Sequence, residues 1–401
     1  MNNFIYDIPV KVYFGKDQII EKQSENSLTN LGAELSRFGK RVLLTYGGGS
    51  IKKIGLYDKV LKAVKEAGLE LYELSGIAPN PRIQSVRDGA KICKEKNIDV
   101  ILAVGGGSTL DCSKFIAAAA FVDFDPWKFF SEWAPIEKAL PLVTVLTLSA
   151  TGSEMDTGGV LSNPDTNDKL GRLDFKLLPK VSFLDPCNTF TVSEYQTACG
   201  SADIFSHICE VYFDKGKDFY MLDTFMEGML RTVIKYTPVA MGEPTNYEAR
   251  ANLMWTSSWA INGFINGGAE KAWSCHPMEH ELSAFYDITH GLGLAILTPR
   301  WMEYCLNKDK GTLERFYRFG HEVFGIDPEY KMSKEEVAKE AIEATKKFLF
   351  NTLKLKSTLG EIGIGPDKFS IMAKKAVGGS TLKGFVELTA EDVKNIFRMC
   401  A

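Results

Sequence analysis

The apolar positions of this chain follow two rhythms. In the first half, short apolar runs rich in β-branched residues stop at small residues and lead into segments with apolar positions at helical spacing. Val10 to Phe14 alternates and is followed by Gly15-Lys16, an opening strand and turn. Arg41 to Tyr46 predicts a strand that stops at Gly47-Gly48-Gly49-Ser50. After it, Ile54, Leu56, Tyr57, Val60, Leu61 and Val64 mark a helix. Leu69 to Leu74 reads as the next strand, ending near Pro79-Asn80-Pro81, with a helix from Ile83 to about Lys96. Asp99 to Val104 enters Gly105-Gly106-Gly107-Ser108 and an alanine-rich helix. Pro141 to Leu148 is a further strand, leading into Ser149 to Glu154. Strands alternating with helices predict a mostly parallel α/β sheet. The rhythm changes near Leu184-Asp185-Pro186. Beyond it Arg250 to Phe264, Pro277 to Phe285, Leu313 to Phe324 and Ser333 to Leu355 read as helices, with almost no convincing strand. The expected division is an α/β dinucleotide-binding domain over residues 1–187 and an all-helical metal-binding domain over 188–401.

Composition narrows the partners. A chain of 401 residues is long enough for two domains, and 45% hydrophobic with 24% charged residues is ordinary for a soluble globular protein. A formal charge of −4 gives no reason to expect nucleic acid or an anionic membrane. The longest apolar run, around Phe115 to Val122, is too short to span a bilayer, and the first residues lack a signal-peptide pattern. Eight cysteines without a Cys-x-x-Cys pair read as reduced, mostly buried thiols in a cytoplasmic protein. Cys275 adjoins His276, yet a small core side chain is the weightier reading for it.

Two Gly-Gly-Gly-Ser turns lie at the carboxyl ends of predicted strands, each before a helix. Such turns let backbone amides approach a phosphate, with the helix dipole adding to the attraction. Neither is a Gly-x-Gly-x-x-Gly fingerprint or a Walker A loop, and tight turns use glycine for backbone reasons alone. Together with the small-residue turn Ser149 to Ser153 they favour a dinucleotide. The first turn holds no carboxylate to bind a ribose 2′-hydroxyl, and Lys52 and Lys53 follow it. This favours NADP(H) over NAD(H), although the lysines read equally well as solvated helix-start residues.

Four of the five histidines fall between Ser201 and His290. Asp203 and His207 are four apart, on one helical face; His276 and His280 share that spacing, and His276 precedes Pro277 at a helix start. A carboxylate with several imidazoles suits Fe(II) or Zn(II). The working hypothesis is one metal held by Asp203, His207, His276 and His290. Singly, each has an ordinary reading as a cap, an ion pair or a core residue. His321 stands outside the set. A rival is the H-x-x-E-H zinc-peptidase pattern in His276-Pro-Met-Glu-His280. It leaves the glycine turns, Asp203, His207 and His290 without a role.

The ordered motifs Val12 to Lys16, Pro79 to Pro81, Gly105 to Asp111, Ala150 to Glu154, Asp203 with His207, and His276 to His290 resemble the iron-containing (group III) alcohol dehydrogenase family over essentially the whole chain. The likeness is greatest to its NADP(H)-dependent butanol dehydrogenase and aldehyde reductase branch, whose first turn also reads Tyr-Gly-Gly-Gly-Ser. The resemblance implies a dehydroquinate synthase-like architecture with the active site between the domains. It implies Asp203, His207, His276 and His290 as metal ligands and His280 as a further histidine of the site. It places Gly48 and Ser50 near a 2′-phosphate, and Gly106, Gly107 and Ser108 at the pyrophosphate. Asp111 closes that motif among the cofactor contacts, and Thr147, Thr151 and Lys169 surround the nicotinamide ribose. It also implies a homodimer or larger homo-oligomer. The expected reaction is hydride transfer between NADP(H) and a small primary alcohol or aldehyde such as butanol or butanal, with a polyol dehydrogenase of the same fold as the alternative. His280 reads equally as a proton relay or a wall residue. A sugar-phosphate cyclase needs several basic residues, and near His276 to His290 only Lys271 is positive. Trp255, Trp259, Phe264 and Trp273 are candidate pocket walls, each also at home in a core.

Overall fold

The computed structural model describes residues 3–215, 219–268, 272–326 and 332–401; Lys271 lies outside them. The chain forms two compact units. One comprises Asp7–Val192 and Pro244–Asn262, the other Met1–Tyr6, Ser193–Glu243 and Gly263–Ala401.

The first unit is built on strands β1 (Lys11–Phe14), β2 (Arg41–Tyr46), β3 (Glu70–Leu74), β4 (Val100–Gly105), β5 (Leu142–Leu146), β6 (Gly158–Asn163), β7 (Asp168–Leu173) and β8 (Val181–Leu184). Six of them form one sheet in the order β1-β8-β5-β4-β2-β3, every neighbouring pair parallel. The inner strands are mostly apolar because both faces are covered, and the buried hydroxyls of Thr144 and Ser182 pair with each other at 2.8 Å. Leu43, Ile101 and Ala103 pack with helices Ile83–Lys96 and Gly107–Ala119; Val42, Leu44, Val100, Leu102, Val143 and Val145 pack on the other side with helix Leu56–Glu66. Edge strands β1 and β3 are part exposed.

Two features of this unit go beyond the hydrophobic pattern. Strand β8, at the change of rhythm, is fully buried between β1 and β5. Strands β6 and β7 form a separate antiparallel hairpin. Their glycines and charged residues, with only partial burial, give no continuous apolar run. The helix Tyr247–Trp259 also differs from the division at 187/188. It belongs to the sheet unit, where Ser258 donates to buried Glu154 and Gly152 lies against Ser257 and Ile261. Trp255 and Trp259 are therefore in the sheet unit, Trp255 edge-on to Phe14 at 5.4 Å.

The second unit is helical, its principal helices Glu194–Tyr212, Tyr220–Gly242, Cys275–Tyr286, His290–Lys308, Leu313–Phe324, Lys334–Lys346, Phe369–Ala376 and Ala390–Met399. Ser333 with Glu336 and Thr389 with Asp392 form capping boxes that fix two of the starts. Among the described residues it has no strand, only the bridge Leu382–Leu388. No described helix is long and apolar enough to cross a membrane.

Candidate active site

The turns of the sheet unit come first. At Gly48 an added Cβ would meet nothing within 4 Å, and its φ is not in the left-handed region. Neither packing nor backbone strain requires glycine there. Ser50 is exposed at the start of the short helix Ser50–Lys53. The Lys52 ammonium lies over the rings of Tyr46 and Tyr57, at 5.2 and 4.6 Å. Both tyrosine hydroxyls donate to Glu73 of β3, at 2.9 and 2.8 Å. The hydrogen bond to Glu73, with burial, pushes the Tyr57 hydroxyl up to about 12. A carboxylate therefore stands beside the tyrosine that leads into the first turn, supplied by a neighbouring strand rather than by the turn itself.

The second turn is packed. Gly106 caps helix Gly107–Ala119, and a Cβ on Gly107 would lie 2.3 Å from Thr151 Oγ1, so the third turn seats on the second. The Thr147 N–H donates to Gly105 at 3.0 Å. Gly106, Ser108, Thr147 and Thr151 are partly exposed; Gly107 and Lys169 are buried. Asp111 is buried with both oxygens engaged inside the protein, accepting from Ser153 Oγ at 2.6 Å and Val160 N at 2.9 Å. Burial pushes it up to about 6 against the pull of Lys114. It braces the turn onto the hairpin and does not face open space. Lys114, fully buried, binds the Asp156 carboxylate and the carbonyls of Asp156 and Gly158, at 3.1 and 2.6 Å.

In the helical unit, helix Glu194–Tyr212 starts at Ser193, whose hydroxyl accepts from Gln196 N. It aligns Asp203, His207 and Glu210 on one face. Helix Cys275–Tyr286 brings His276 and His280, and His290 begins helix His290–Lys308. The Nε2 atoms of His207, His276 and His290 lie 3.4, 3.6 and 3.7 Å from Asp203 Oδ1. Ligand atoms of Asp203, His276 and His290 are all within 4.8 Å of one another, whereas His207 joins through Asp203 and by stacking on His276 at 4.7 Å. Trp273, one of the four proposed walls, packs on both of these rings, at 5.4 and 4.5 Å. The His280 ring is 5.8 Å from that of His290 and 6.4 Å from that of His276.

The electrostatics suit a cation. Asp203 Oδ1 and His276 Nε2 are buried without a hydrogen bond among the described residues, a costly state unless something fills it. Burial pushes His207 down to about 3, overriding Asp203. Asp203 is held well below the carboxylate range by the three imidazoles despite its burial. His276 rises to about 9 because the neighbouring carboxylates of Asp203 and Glu210 outweigh desolvation. An oxygen and imidazole nitrogens converging in this way fit a borderline divalent ion.

Two carboxylates stand behind the rings. Glu210 Oε2 is 2.5 Å from His276 Nδ1, and the same carboxylate receives the N–H groups of Ser274, Cys275 and His276. Glu279 Oε2 binds His290 Nδ1, and its Oε1 accepts from Ser283. Glu279 is the glutamate of the H-x-x-E-H match; fully buried and bonded to His290, it is not available as a peptidase base. Sequence reasoning missed Glu210, although it lies on the face of Asp203 and His207. It also missed Lys114 and Glu73, whose partners are remote in the chain. His321 is exposed and paired with Glu322 at 3.1 Å. All eight cysteines are free, and burial raises the Cys275 thiol well above its usual range.

A parallel α/β unit with small-residue turns at its strand ends, followed by a helical unit bearing an aspartate and histidines at one point, has the make-up of a dehydrogenase that pairs a nucleotide with a metal. Residues 9–186 match the family described as iron-containing alcohol dehydrogenase, and residues 197–401 match the C-terminal domain of the Fe-containing alcohol dehydrogenase family. The chain belongs to the iron-containing alcohol dehydrogenase family. It is similar to NADH-dependent butanol dehydrogenase A of Clostridium acetobutylicum, 51% identical over 400 residues and 99% of both chains. It is also similar to the NADPH-dependent aldehyde reductase YqhD of Escherichia coli, 37% identical over 94% of this chain and 93% of that one. Among solved structures, NADH-dependent butanol dehydrogenase A of Thermotoga maritima superposes with a TM-score of 0.92 at 37% identity, covering 100% of this chain and 99% of that one. The protein is thus an oxidoreductase of alcohols and aldehydes. Its family implies a nicotinamide cofactor and an iron-type metal.

Proposed function

We propose that this enzyme transfers a hydride between a nicotinamide dinucleotide and a small primary alcohol or aldehyde, such as butanol or butanal, using one divalent ion held by Asp203, His207, His276 and His290. The observation that supports this best is the convergence of three Nε2 atoms within 3.4–3.7 Å of Asp203 Oδ1, a buried oxygen without a hydrogen bond among the described residues. When bound, Fe(II) or Zn(II) supplies Lewis acidity to the substrate oxygen, while the nicotinamide exchanges the hydride. The protein's own part is to hold charge and orientation. Asp203 contributes the negative charge, the imidazoles face it, and Trp273 covers two of them. His280, half-buried beside His290, relays the proton. In the sheet unit, Gly106, Gly107 and Ser108 take the pyrophosphate, and Thr147, Thr151 and Lys169 take the nicotinamide ribose, with Asp111 bracing them. The enzyme works as a homodimer or larger assembly.

Nucleotide preference has two readings. Open Gly48, exposed Ser50 and nearby Lys52 suit the 2′-phosphate of NADP(H). Glu73 beside the turn, together with the NADH-dependent names of the relatives at 51% and 48% identity, favours NAD(H). The test is metal analysis with both nucleotides and short aldehydes on the wild type, His207→Ala and His290→Ala. Metal and turnover should be lost together in each variant. Wild type with Fe(II) that reduces no short aldehyde with either nucleotide would overturn the reading.

A further inference from the structure

We propose that Glu210 and Glu279 are positioning residues of the metal centre, each taking the Nδ1–H of one imidazole so that its Nε2 lone pair faces the point Asp203 addresses. This rests on the metal reading of the cluster given above.

Both carboxylates are out of water, at 4% and 0% exposure. Since an ionised carboxylate only accepts, its contact with Nδ1 places a proton on Nδ1 in both rings, so the neutral ring that would bind a cation carries its lone pair on Nε2. A wrong tautomer would aim an N–H at the cation. Glu210 does more than cap a helix. Its Oε1 receives the N–H groups of Ser274 and Cys275, each at 2.5 Å, which is capping; its Oε2 is spent on the His276 ring. Glu279 is pinned from three sides. Ser283 donates to one oxygen and His290 to the other, and a Cβ on Gly293 would lie 2.7 Å from Glu279 Cγ, so the backbone of the next helix is seated against it. In such a dry contact the hydrogen bond is electrostatically strong. The arrangement is unequal among the histidines. Nδ1 of His207 is buried without a hydrogen bond among the described residues, and that ring is held by stacking with His276 and Trp273. His207 is thus the least fixed ring, and affinity should depend on the two carboxylates. The same geometry gives the H-x-x-E-H spacing a meaning: the glutamate serves a histidine eleven residues on, across a helix end.

The test uses the full-length chain with Glu210→Gln, Glu279→Ala and Glu279→Gln, titrated with Zn(II) or Fe(II) against a chelator of known affinity. Affinity should fall about 10–100-fold in Glu210→Gln and Glu279→Ala. Glu279→Gln, which keeps an acceptor oxygen in place, should recover part of it. Nucleotide binding should be unchanged, and the metal-free Gln variants should unfold near the wild-type midpoint. Nitrogen-15 spectra of the metal-free protein should show His290 leaving the Nδ1–H form in Glu279→Ala, a change a purely structural role would not produce. Wild-type metal affinity in all three variants, or an unchanged His290 tautomer, would overturn the proposal while leaving the metal reading intact. A wild type that binds neither ion overturns both.

Discussion

Replacing Gly291 with alanine tests whether the Asp–His cluster is held by the packing of two helices. Gly291 follows His290 at the start of helix His290–Lys308. A Cβ there would lie 1.9 Å from Cys199 O, 2.6 Å from its carbonyl carbon and 3.0 Å from its Cα. Cys199 is one helical turn before Asp203 in helix Glu194–Tyr212. All three atoms are backbone, so no rotamer change relieves the contact, and the helices must part. Moving the nearest contact from 1.9 Å only to 3.0 Å takes about 1.1 Å. Overpacking costs about 1–3 kcal/mol, and a backbone clash belongs at the top of that range. Metal sites tolerate about ±0.2 Å in ligand distance, so this displacement between Asp203 and His290 removes one of them from the centre. A misplacement near 1 Å also costs about 100-fold in rate. The assays are circular dichroism unfolding of the metal-free chain, metal content after dialysis, and aldehyde reduction. Gly291→Ala should show a lower midpoint, substoichiometric metal and about 100-fold less turnover. A variant with wild-type stability and full metal would refute the reasoning.

The same substitution at Gly228, inside helix Tyr220–Gly242, should have the opposite sign, because its Cβ would meet only the Arg231 guanidinium at 3.9 Å. Urea unfolding should show a gain of about 0.5–1 kcal/mol, and a loss would refute this. Glu154 gives a pH signature. Burial pushes its carboxyl from 4.5 to about 7 despite the Ser258 hydroxyl. A raised folded value means stability is full below pH 4.5 and is lost as pH rises through 7. At about 1.36 kcal/mol per unit, the loss is about 3 kcal/mol. The stability of Glu154→Gln minus that of wild type should therefore rise by about this much from pH 4.5 to 8; a flat difference would sink it. Chelation should lower the unfolding midpoint of metal-loaded wild type and leave that of His290→Ala unmoved, because only a protein that binds the ion is stabilised by it. Equal shifts in both would count against His290 as a ligand.

The sheet was legible because its inner strands are covered on both faces. A strand buried that way must be a short apolar run, and β2, β4 and β5 are. Helix Ile83–Lys96 and helix Leu313–Phe324 were legible because each has one wet face. Helix Glu194–Tyr212 was not, for the converse reason: it is buried on all sides from Thr197 onward, so its apolar residues have no period. The hairpin β6–β7 escaped because its buried positions are mostly glycine and polar residues around Leu161, which make no apolar run, and β8 because four residues are too few to separate from the turn after them.

The cluster shows how far such reasoning reaches. Helical spacing gives Asp203 with His207, and carried one turn further it also gives Glu210. Within one helix the physics is periodic and a sequence suffices. What joins the helices is not periodic. Helix Cys275–Tyr286 ends at Asp287, in the left-handed region at φ 51°, and Thr289 precedes the next start. This reversal swings His290 back over Glu279, and only the bare Cα of Gly291 lets the new helix close on Cys199. The polar residues could be named from their chemistry, but their convergence depends on a turn conformation and on a missing methyl group. Ligand identity is thus written locally in the chain, and ligand geometry in the packing of its most featureless positions.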